Sequence, residues 1–207
     1  EIDNDTLDFS AVTANLTFTI HDDGTVSVTD GTNTLGASGG IDNIIGGSGT
    51  NTFVFEDQGY LNAYIDGGTG TTTLDYSAYT TAVSIDLSQM DVTETRTVNG
   101  APVATVLTGS ASGVKGINNI DEVVGGSGGD LLTGFEESNA WVVNGANSGT
   151  VTGNDTSRAA SFTGFENLAG HADHDDTFSV YTAGSVAGSL IGQAYGPSSA
   201  TDTVRIE

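Results

Sequence analysis

The chain has 207 residues, with 27 acidic side chains against 4 basic ones and a net charge of -23. Such a charge repels phosphate backbones and anionic lipid surfaces, so the composition argues against nucleic-acid binding and membrane insertion. There is no cysteine, which excludes disulfides and thiolate metal sites.

Short β-strands are predicted along the whole chain. The segments NTFVFED at 51–57, AVSIDLS at 82–88 and TDTVRIE at 201–207 alternate apolar and polar residues, as half-buried strands do. No stretch shows a convincing helical period. We expect the repeated apolar positions of these strands to point inward, namely Val54, Leu74, Val83, Ile85, Val123, Leu131, Phe178 and Val204.

Internal repeats organise the chain. TLDFSAVTANLTFTI at 6–20 aligns with TLDYSAYTTAVSIDL at 73–87, and DNIIGGSG at 42–49 aligns with DEVVGGSG at 121–128. The predicted units are a first repeat at 1–72, a second and longer repeat at 73–201 with an extra segment at about 131–170, and the opening strand of a following unit at 202–207.

Two all-β architectures fit this pattern. One is a β-solenoid, a parallel β-helix or degenerate β-roll in which each coil stacks on the last. The other is a set of antiparallel β-sandwich repeats, which also gives short strands at regular spacing. The recurring Gly-Gly-x-Gly segments favour the solenoid, because sharp corners and close backbone approach both select glycine.

The Gly-rich segments carry a resemblance to a known family. GGSGGDLLT at 125–133 matches the nonapeptide of haemolysin-type calcium-binding (RTX) proteins at every defined position, and GGSGTNTFV at 46–54 differs by Asn51 in the Asp place. GHADHDDTF at 170–178 is an expanded version. The longer phrases, such as INNIDEVVGGSGGDLLTG, resemble repeats of very large secreted bacterial surface proteins and adhesins.

The resemblance implies calcium held between stacked turns by carbonyl oxygens and carboxylates. An acid precedes each of three corners by nine residues, with Asp121 before Asp130, Asp42 before Asn51 and Glu166 before Asp175. The candidate ligands are Gly126, Gly128, Asp130, Asp121, Asp42, Asn51, Asp173, Asp175 and Asp176. The alternative is that these Asp and Asn side chains bond the local backbone without an ion.

Two further features have structural interpretations. His171 and His174 with their neighbouring acids offer ligands for a transition metal, but closed sites recruit ligands from separate segments, so a solvated loop or a calcium corner is favoured. The paired acids Asp22–Asp23 and Glu136–Glu137 are interpreted as solvated faces. The only tryptophan, Trp141, is predicted to lie in the core.

Catalysis finds little support in the sequence. There is no Gly-x-Ser-x-Gly elbow, and the four basic residues are scattered. The sequence therefore predicts that the chain is not an enzyme. It is expected to be a structural segment, a stalk, filament or spacer, of a giant extracellular bacterial adhesin or surface protein. The alternative is a glycan-binding or enzyme-accessory module that contacts cell-surface glycans.

The first and last segments of the chain occupy the same position within the repeat. The chain opens with IDNDTLDFS and closes with TDTVRIE, and neither segment resembles a polar terminal cap. This predicts a stretch of a longer array, whose partners are like units or copies associated end to end.

Overall fold

The structure, a computed structural model, describes residues 5–98, 101–192 and 200–207, with only the backbone for 94–98 and 101–105. The described residues form β-strands and no helix, which confirms the all-β prediction, and therefore contain no helix that could cross a membrane. The strands are β1 (Thr6–Asp8), β2 (Leu16–Ile20), β3 (Val26–Thr29), β4 (Thr34–Ser38), β5 (Asn43–Ile45), β6 (Asn51–Phe55), β7 (Tyr64–Asp66), β8 (Thr72–Asp75), β9 (Ser84–Asp86), β10 (Thr93–Val98), β11 (Ala101–Val106), β12 (Ser110–Ala111), β13 (Gly116–Asn118), β14 (Glu122–Val124), β15 (Leu131–Thr133), β16 (Asn139–Gly145), β17 (Ser148–Gly153), β18 (Ala159–Thr163), β19 (Asn167–Ala169), β20 (Thr177–Val180), β21 (Leu190–Ile191) and β22 (Thr203–Ile206).

The strands form four sheets. The largest has 11 strands in the order β22-β20-β16-β17-β18-β14-β8-β6-β2-β3-β4. A five-stranded sheet runs β12-β9-β15-β19-β21, a four-stranded sheet runs β1-β5-β7-β13, and β10 pairs with β11. The chain passes repeatedly from one of the smaller sheets to the large one and back.

Most strand pairs are parallel. Parallel neighbours require a crossover, and here the crossover is a strand in another sheet rather than a helix. For example, β6 and β8 are neighbours in the large sheet, while β7 between them belongs to the four-stranded sheet. Antiparallel pairs occur where hairpins extend or interrupt this pattern, as at β2–β3–β4 and β16–β17–β18.

Strands from the two aligned repeats pair in the same way. In the first repeat β1 pairs with β5 and β2 with β6, and in the second β8 pairs with β14 and β9 with β15. Between the first and second strands of these pairs the chain forms an inserted segment, here called an excursion. The excursion is the β3–β4 hairpin in the first repeat and the segment from β10 to β13 in the second. The excursions differ in sequence, whereas the paired strands carry the repeated phrases.

The buried apolar side chains of the described residues form one hydrophobic cluster. It is filled by alternate residues of the parallel strands and contains in-register aromatic stacks, such as Phe18 on Phe53 with ring centroids 4.3 Å apart. Trp141 is fully buried and stacks on Phe178, which confirms its predicted core position. The predicted inward positions Leu74, Val83, Ile85, Val123 and Phe178 are confirmed as buried.

Three predicted core positions are wrong. Val54 is half-buried because Phe53 and Phe55, on the other face of β6, point inward. Leu131 is half-buried because Leu132 takes the inward place, in alternation with the buried Asp130. Val204 is in register with Phe178 but 57% exposed, since no strand of the described chain lies on the outer side of β22.

Candidate functional site

Asp130 closes the Gly-rich corner between β14 and β15. Its side chain is fully buried. One carboxylate oxygen accepts the N–H of Gly126 at 2.7 Å, within the same corner. The other accepts the N–H of Val83 at 2.8 Å, and Val83 immediately precedes β9, the strand beside β15. The carboxylate therefore ties its own corner to the neighbouring strand.

The same corner is bonded on its other side. The backbone N–H of Asp130 donates to Oε2 of Glu166 at 2.9 Å. The backbone carbonyl of Asp130 accepts the backbone N–H of Asn167 at 2.9 Å and its side-chain Nδ2 at 3.1 Å. Asn167 begins β19, which pairs with β15. The hydrogen bonds of Asp130 therefore link the starts of three adjacent strands, β9, β15 and β19.

Close packing explains the glycine at the first position of this corner. A Cβ on Gly125 would lie 2.6 Å from Oδ2 of Asp130, and nearer still to the carbonyl oxygen of Gly164 on the adjacent corner. A Cβ on Gly129 would meet nothing within 4 Å. Neither residue has a positive φ, so at Gly125 the requirement is space for a neighbouring backbone, rather than the left-handed conformation that also selects glycine.

Asn51 occupies the equivalent place in the corner between β5 and β6, with reversed hydrogen-bond polarity. It is fully buried, and its Oδ1 accepts the N–H of Gly47 at 3.1 Å. Its Nδ2 lies near three carbonyl oxygens, of Gly47 at 3.0 Å, Gly49 at 3.1 Å and Gly67 at 3.0 Å. An ionised carboxylate could only accept here, whereas an amide both accepts and donates. Asn51 thus fits its corner as a neutral residue.

Asn139 occupies a corner that the Gly-Gly-x-Gly pattern does not predict. It is fully buried between β15 and β16, and it accepts the N–H of Phe135 at 2.9 Å through Oδ1. Its Nδ2 donates to the carbonyl oxygens of Phe135 at 3.0 Å and Glu137 at 2.7 Å. The available signal is a glycine five residues earlier, Gly134, the spacing that also separates Gly46 from Asn51.

Asp176 occupies the expanded corner at 170–176. Its Oδ1 accepts the backbone N–H of Asn139 at 2.8 Å and its Nδ2 at 2.9 Å. Its Oδ2 is buried against Gly170 and accepts no hydrogen bond of normal geometry within the described chain. Burial raises the pKa of Asp176, the bonds from Asn139 oppose that rise, and the charge of Asp202 adds to it.

The remaining predicted ligands lie in separate places. Asp121 accepts the N–H of Thr72 at 2.8 Å, and Asp42 contacts Lys115 Nζ at 3.2 Å and accepts the N–H of Asp5 at 3.2 Å. The hydrogen bond from Lys115, followed by that from Asp5, lowers the pKa of Asp42. Asp173 and Asp175 are exposed, and Asp175 accepts the N–H of Thr201.

The nine-residue spacing of the acids has a structural meaning. Asp121 precedes β14 in the large sheet, whereas Asp130 precedes β15 in the five-stranded sheet. Each accepts an N–H from the start of the strand that pairs with its own, Thr72 and Val83 respectively. The spacing therefore places two carboxylates at the starts of consecutive strands. Across the described residues, no three His, Asp or Glu side chains are grouped so that they could hold a metal ion.

Glu137 corrects the interpretation of the Glu136–Glu137 pair as a solvated face. Glu136 is exposed, but Glu137 is 3% exposed and contacts Arg158 Nη2 at 3.0 Å. Burial alone would raise the pKa of Glu137, but hydrogen bonds from Thr156, Asp155 and Arg158 together lower it. Arg158 also donates to the carbonyl of Met90. The sequence gives no signal for this pair, because its members lie 21 residues apart.

A polar cleft of about 410 Å³ opens beside Arg158. Asp91, Asn119 and Asp121 line it together with the Gly68–Gly70 corner. Burial raises the pKa of Asp91, the N–H of Asn119 opposes the rise, and the charges of Asp66 and Asp121 add to it. The cleft offers hydrogen-bond donors and acceptors on several sides.

Comparisons with known proteins give the chain no relative: no protein-family model matches it, and no curated protein sequence matches it.

Proposed function

We propose that the chain is a β-solenoid segment that serves as a stalk, filament or spacer in a large extracellular bacterial surface protein or adhesin, and that it is not an enzyme. The observation that carries this proposal is the use of the corner residues. Asp130, Asn51, Asn139 and Asp176 are fully buried, and their polar atoms hold backbone groups of their own and neighbouring corners. Side chains used in this way stabilise a stack of strands rather than contact a substrate.

The strand pairing supports the solenoid within this proposal. Successive passes of the chain lie side by side in parallel register, as in β2, β6, β8 and β14. A stack of 11 strands at a spacing of about 4.8 Å extends roughly 48 Å. The antiparallel sandwich alternative would require antiparallel pairing throughout, and the described chain confines such pairing to the excursions and hairpins.

Particle shape tests the structural role. Small-angle X-ray scattering of the dilute chain should give an asymmetric particle whose long dimension matches the stacked strands. Hydrogen exchange should protect the backbone amides of the parallel strands as one cooperative block, because each strand is held by its neighbours. A spherical particle, or independent exchange of the two repeats, would contradict the proposal.

Divalent cations test whether the same corners bind calcium. Both carboxylate oxygens of Asp130 already accept N–H groups, so the corner closes without an ion. We therefore expect calcium and magnesium to raise the melting temperature alike, by screening a net charge of -23. Stabilisation by calcium alone, abolished by Asp130→Asn and kept by the exposed control Asp22→Asn, would instead establish a calcium site.

The polar cleft supports the second candidate, glycan binding. Sugar hydroxyls pair with mixed donors and acceptors, and Asn119, Asp121 and Arg158 offer both kinds. A glycan array tests it, with Asn119→Ala as the disrupting variant and Asn33→Ala, on the distant β3–β4 turn, as the control. Binding lost only in Asn119→Ala would favour this function over a purely structural one.

A further inference from the structure

The two ends of the described stack each present an unpaired strand edge. β22 is the last strand of the large sheet and pairs only with β20. β1 is the first strand of the four-stranded sheet and pairs only with β5. Both pairings are parallel, and the outer edge of each strand offers backbone N–H and C=O groups to a further strand. Exposed edges of this kind bind further strands unless they are blunted.

An apolar groove lies beside β22. It has a volume of about 510 Å³, and Val186, Leu190, Val204 and Ile206 are among its lining residues. Val204 is 57% exposed and Ile206 is 88% exposed, although Val204 is in register with the buried Phe178. The side of β22 that should face the core is therefore open to solvent.

A polar ladder formed by Asn139, Asp176 and Asp202 specifies what chemistry would continue this stack. The N–H of Asn139 donates to Oδ1 of Asp176 at 2.8 Å, and the N–H of Asp176 donates to Oδ1 of Asp202 at 3.1 Å. Each carboxylate thus accepts the N–H of the residue before it in the ladder. The next member must bring a carboxylate to the N–H of Asp202, followed by one outward-facing residue and one apolar residue, as in Ala140-Trp141 and Thr177-Phe178.

The first described strand of the chain has this sequence. Asp5-Thr6-Leu7 repeats the pattern of Asp202-Thr203-Val204 and of Asp176-Thr177-Phe178. The N–H of Asp5 already donates to Oδ2 of Asp42 at 3.2 Å, so Asp5 has a following carboxylate within its own chain. A second copy that placed its Asp5 on the outer edge of β22 would continue the polar ladder of Asn139, Asp176 and Asp202 with its own Asp5–Asp42 hydrogen bond.

We propose that copies of this chain associate head to tail, with β1 of one copy added in parallel to β22 of another. Asp5 then accepts the N–H of Asp202, Thr6 lies opposite Thr203, and Leu7 covers Val204. The two surfaces are different, so the contact is heterologous and produces open-ended chains rather than a closed dimer. This inference rests on the proposed stacking of strands and names its partner as a second copy.

Charge limits the strength of this contact. Each copy carries a net charge of -23, so two copies repel at low ionic strength. Salt at about 0.15 M shortens the screening length to roughly 8 Å and weakens this repulsion. We therefore expect association to increase with salt and with protein concentration.

Cysteine pairing tests the register, because the native chain has no cysteine. Thr6→Cys and Thr203→Cys are made as separate variants, mixed and oxidised, with one partner isotopically labelled. Thr6→Cys mixed with Thr203→Cys should give a cross-linked heterodimer in preference to either homodimer. The control, Thr93→Cys mixed with Thr203→Cys, should not. A dominant Thr203→Cys homodimer would show tail-to-tail pairing and overturn the proposal.

Two variants that add the same negative charge to β22 test the apolar contact. Val204→Asp and Thr203→Asp add the same charge to β22, but Val204 belongs to the groove and Thr203 to the opposite face. In sedimentation equilibrium, Val204→Asp should weaken association at least tenfold, and Thr203→Asp should change it less than threefold. Equal effects, or a monomer at every concentration and salt, would overturn the inference.

Scattering separates failure of this inference from failure of the proposed function. An asymmetric particle that stays monomeric would contradict only the head-to-tail contact and would support the stacked segment. A particle without the stacked shape would remove both. Because Val204 is already 57% exposed, the melting temperature of Val204→Asp should stay near that of the native chain, which excludes unfolding as the cause of lost association.

Discussion

The corners that end at Asp130 and Asn51 share a glycine pattern but use opposite hydrogen-bond chemistry. Asp130 lies among backbone donors, the N–H groups of Gly126 and Val83. Asn51 meets one donor and three carbonyl oxygens. A carboxylate satisfies the first environment and an amide the second. The presence of Asp in one corner and Asn in the other therefore matches the backbone groups that surround each residue.

Exchanging the residue at the Asn51 corner should give the largest effect. Asn51→Asp places a buried carboxylate against the carbonyl oxygens of Gly47, Gly49 and Gly67, which should lower the free energy of unfolding by about 3–5 kcal/mol at neutral pH. These neighbours raise the folded-state pKa of the new carboxyl group. The loss should therefore shrink as the pH falls, measured by urea unfolding at pH 7 and pH 4.

If the Asn51 corner were a degenerate calcium site, the result would differ. Asn51→Asp would then restore the consensus residue, and calcium would recover the lost stability where magnesium would not. That outcome would contradict the hydrogen-bonding explanation of the comparison.

Glycine substitution in the Asp130 corner should give the next largest effect. Gly125→Ala brings a Cβ within 2.6 Å of the Asp130 carboxylate and against the Gly164 backbone, which should cost about 2–3 kcal/mol. Gly129→Ala in the same motif meets open space, so it should change stability by less than about 0.5 kcal/mol. Equal melting temperatures for the two variants would show that the corner backbones are not in close contact.

The reciprocal exchange, Asp130→Asn, should cost less than Asn51→Asp. The amide oxygen can replace one carboxylate oxygen, but the amide nitrogen then faces either the Gly126 or the Val83 N–H. One lost bond and one unpaired donor amount to about 2 kcal/mol. Urea unfolding without divalent ions measures this, and an unchanged midpoint would mean that the carboxylate does not bond both N–H groups.

The smallest effect is expected at Asp176. Burial raises its folded-state pKa, so its stabilising contribution is present at low pH and is lost as the pH rises through that pKa. Asp176→Asn removes this penalty and keeps an acceptor for Asn139, so it should raise stability at pH 7 by less than about 1 kcal/mol. The gain should shrink as the pH falls, because the side chains of both forms are then neutral. The exposed control Asp173→Asn should change the free energy of unfolding at pH 7 by less than about 0.5 kcal/mol.

Some parts of the fold could be predicted because they depend on local pattern. Alternation of apolar residues placed Leu74, Ile85 and Val123 correctly in the core. In NTFVF and DLLTG, however, apolar residues are adjacent, so two phases are compatible with the sequence. The predicted phase is wrong at Val54 and Leu131, because only the packing of neighbouring strands decides between the two phases.

The candidate site was partly visible in the same way. The Gly-Gly-x-Gly pattern located the Asp130 and Asn51 corners, but it missed the buried Asn139, whose corner reads GFEESN. The buried Glu137 was interpreted as solvated, because its partner Arg158 is distant in the chain.

The sequence by itself determined the strands, the corners and the repeated order in which they occur, since these follow from short-range alternation and from glycine at fixed spacing. Only the tertiary structure decided which atoms the corner residues bond. Asp130 receives the N–H of Val83, 47 residues earlier, and Asn51 donates to the carbonyl of Gly67 on the next corner. Hydrogen-bond polarity at a buried position is a property of all the backbones that meet there, and these are brought together only when the strands stack.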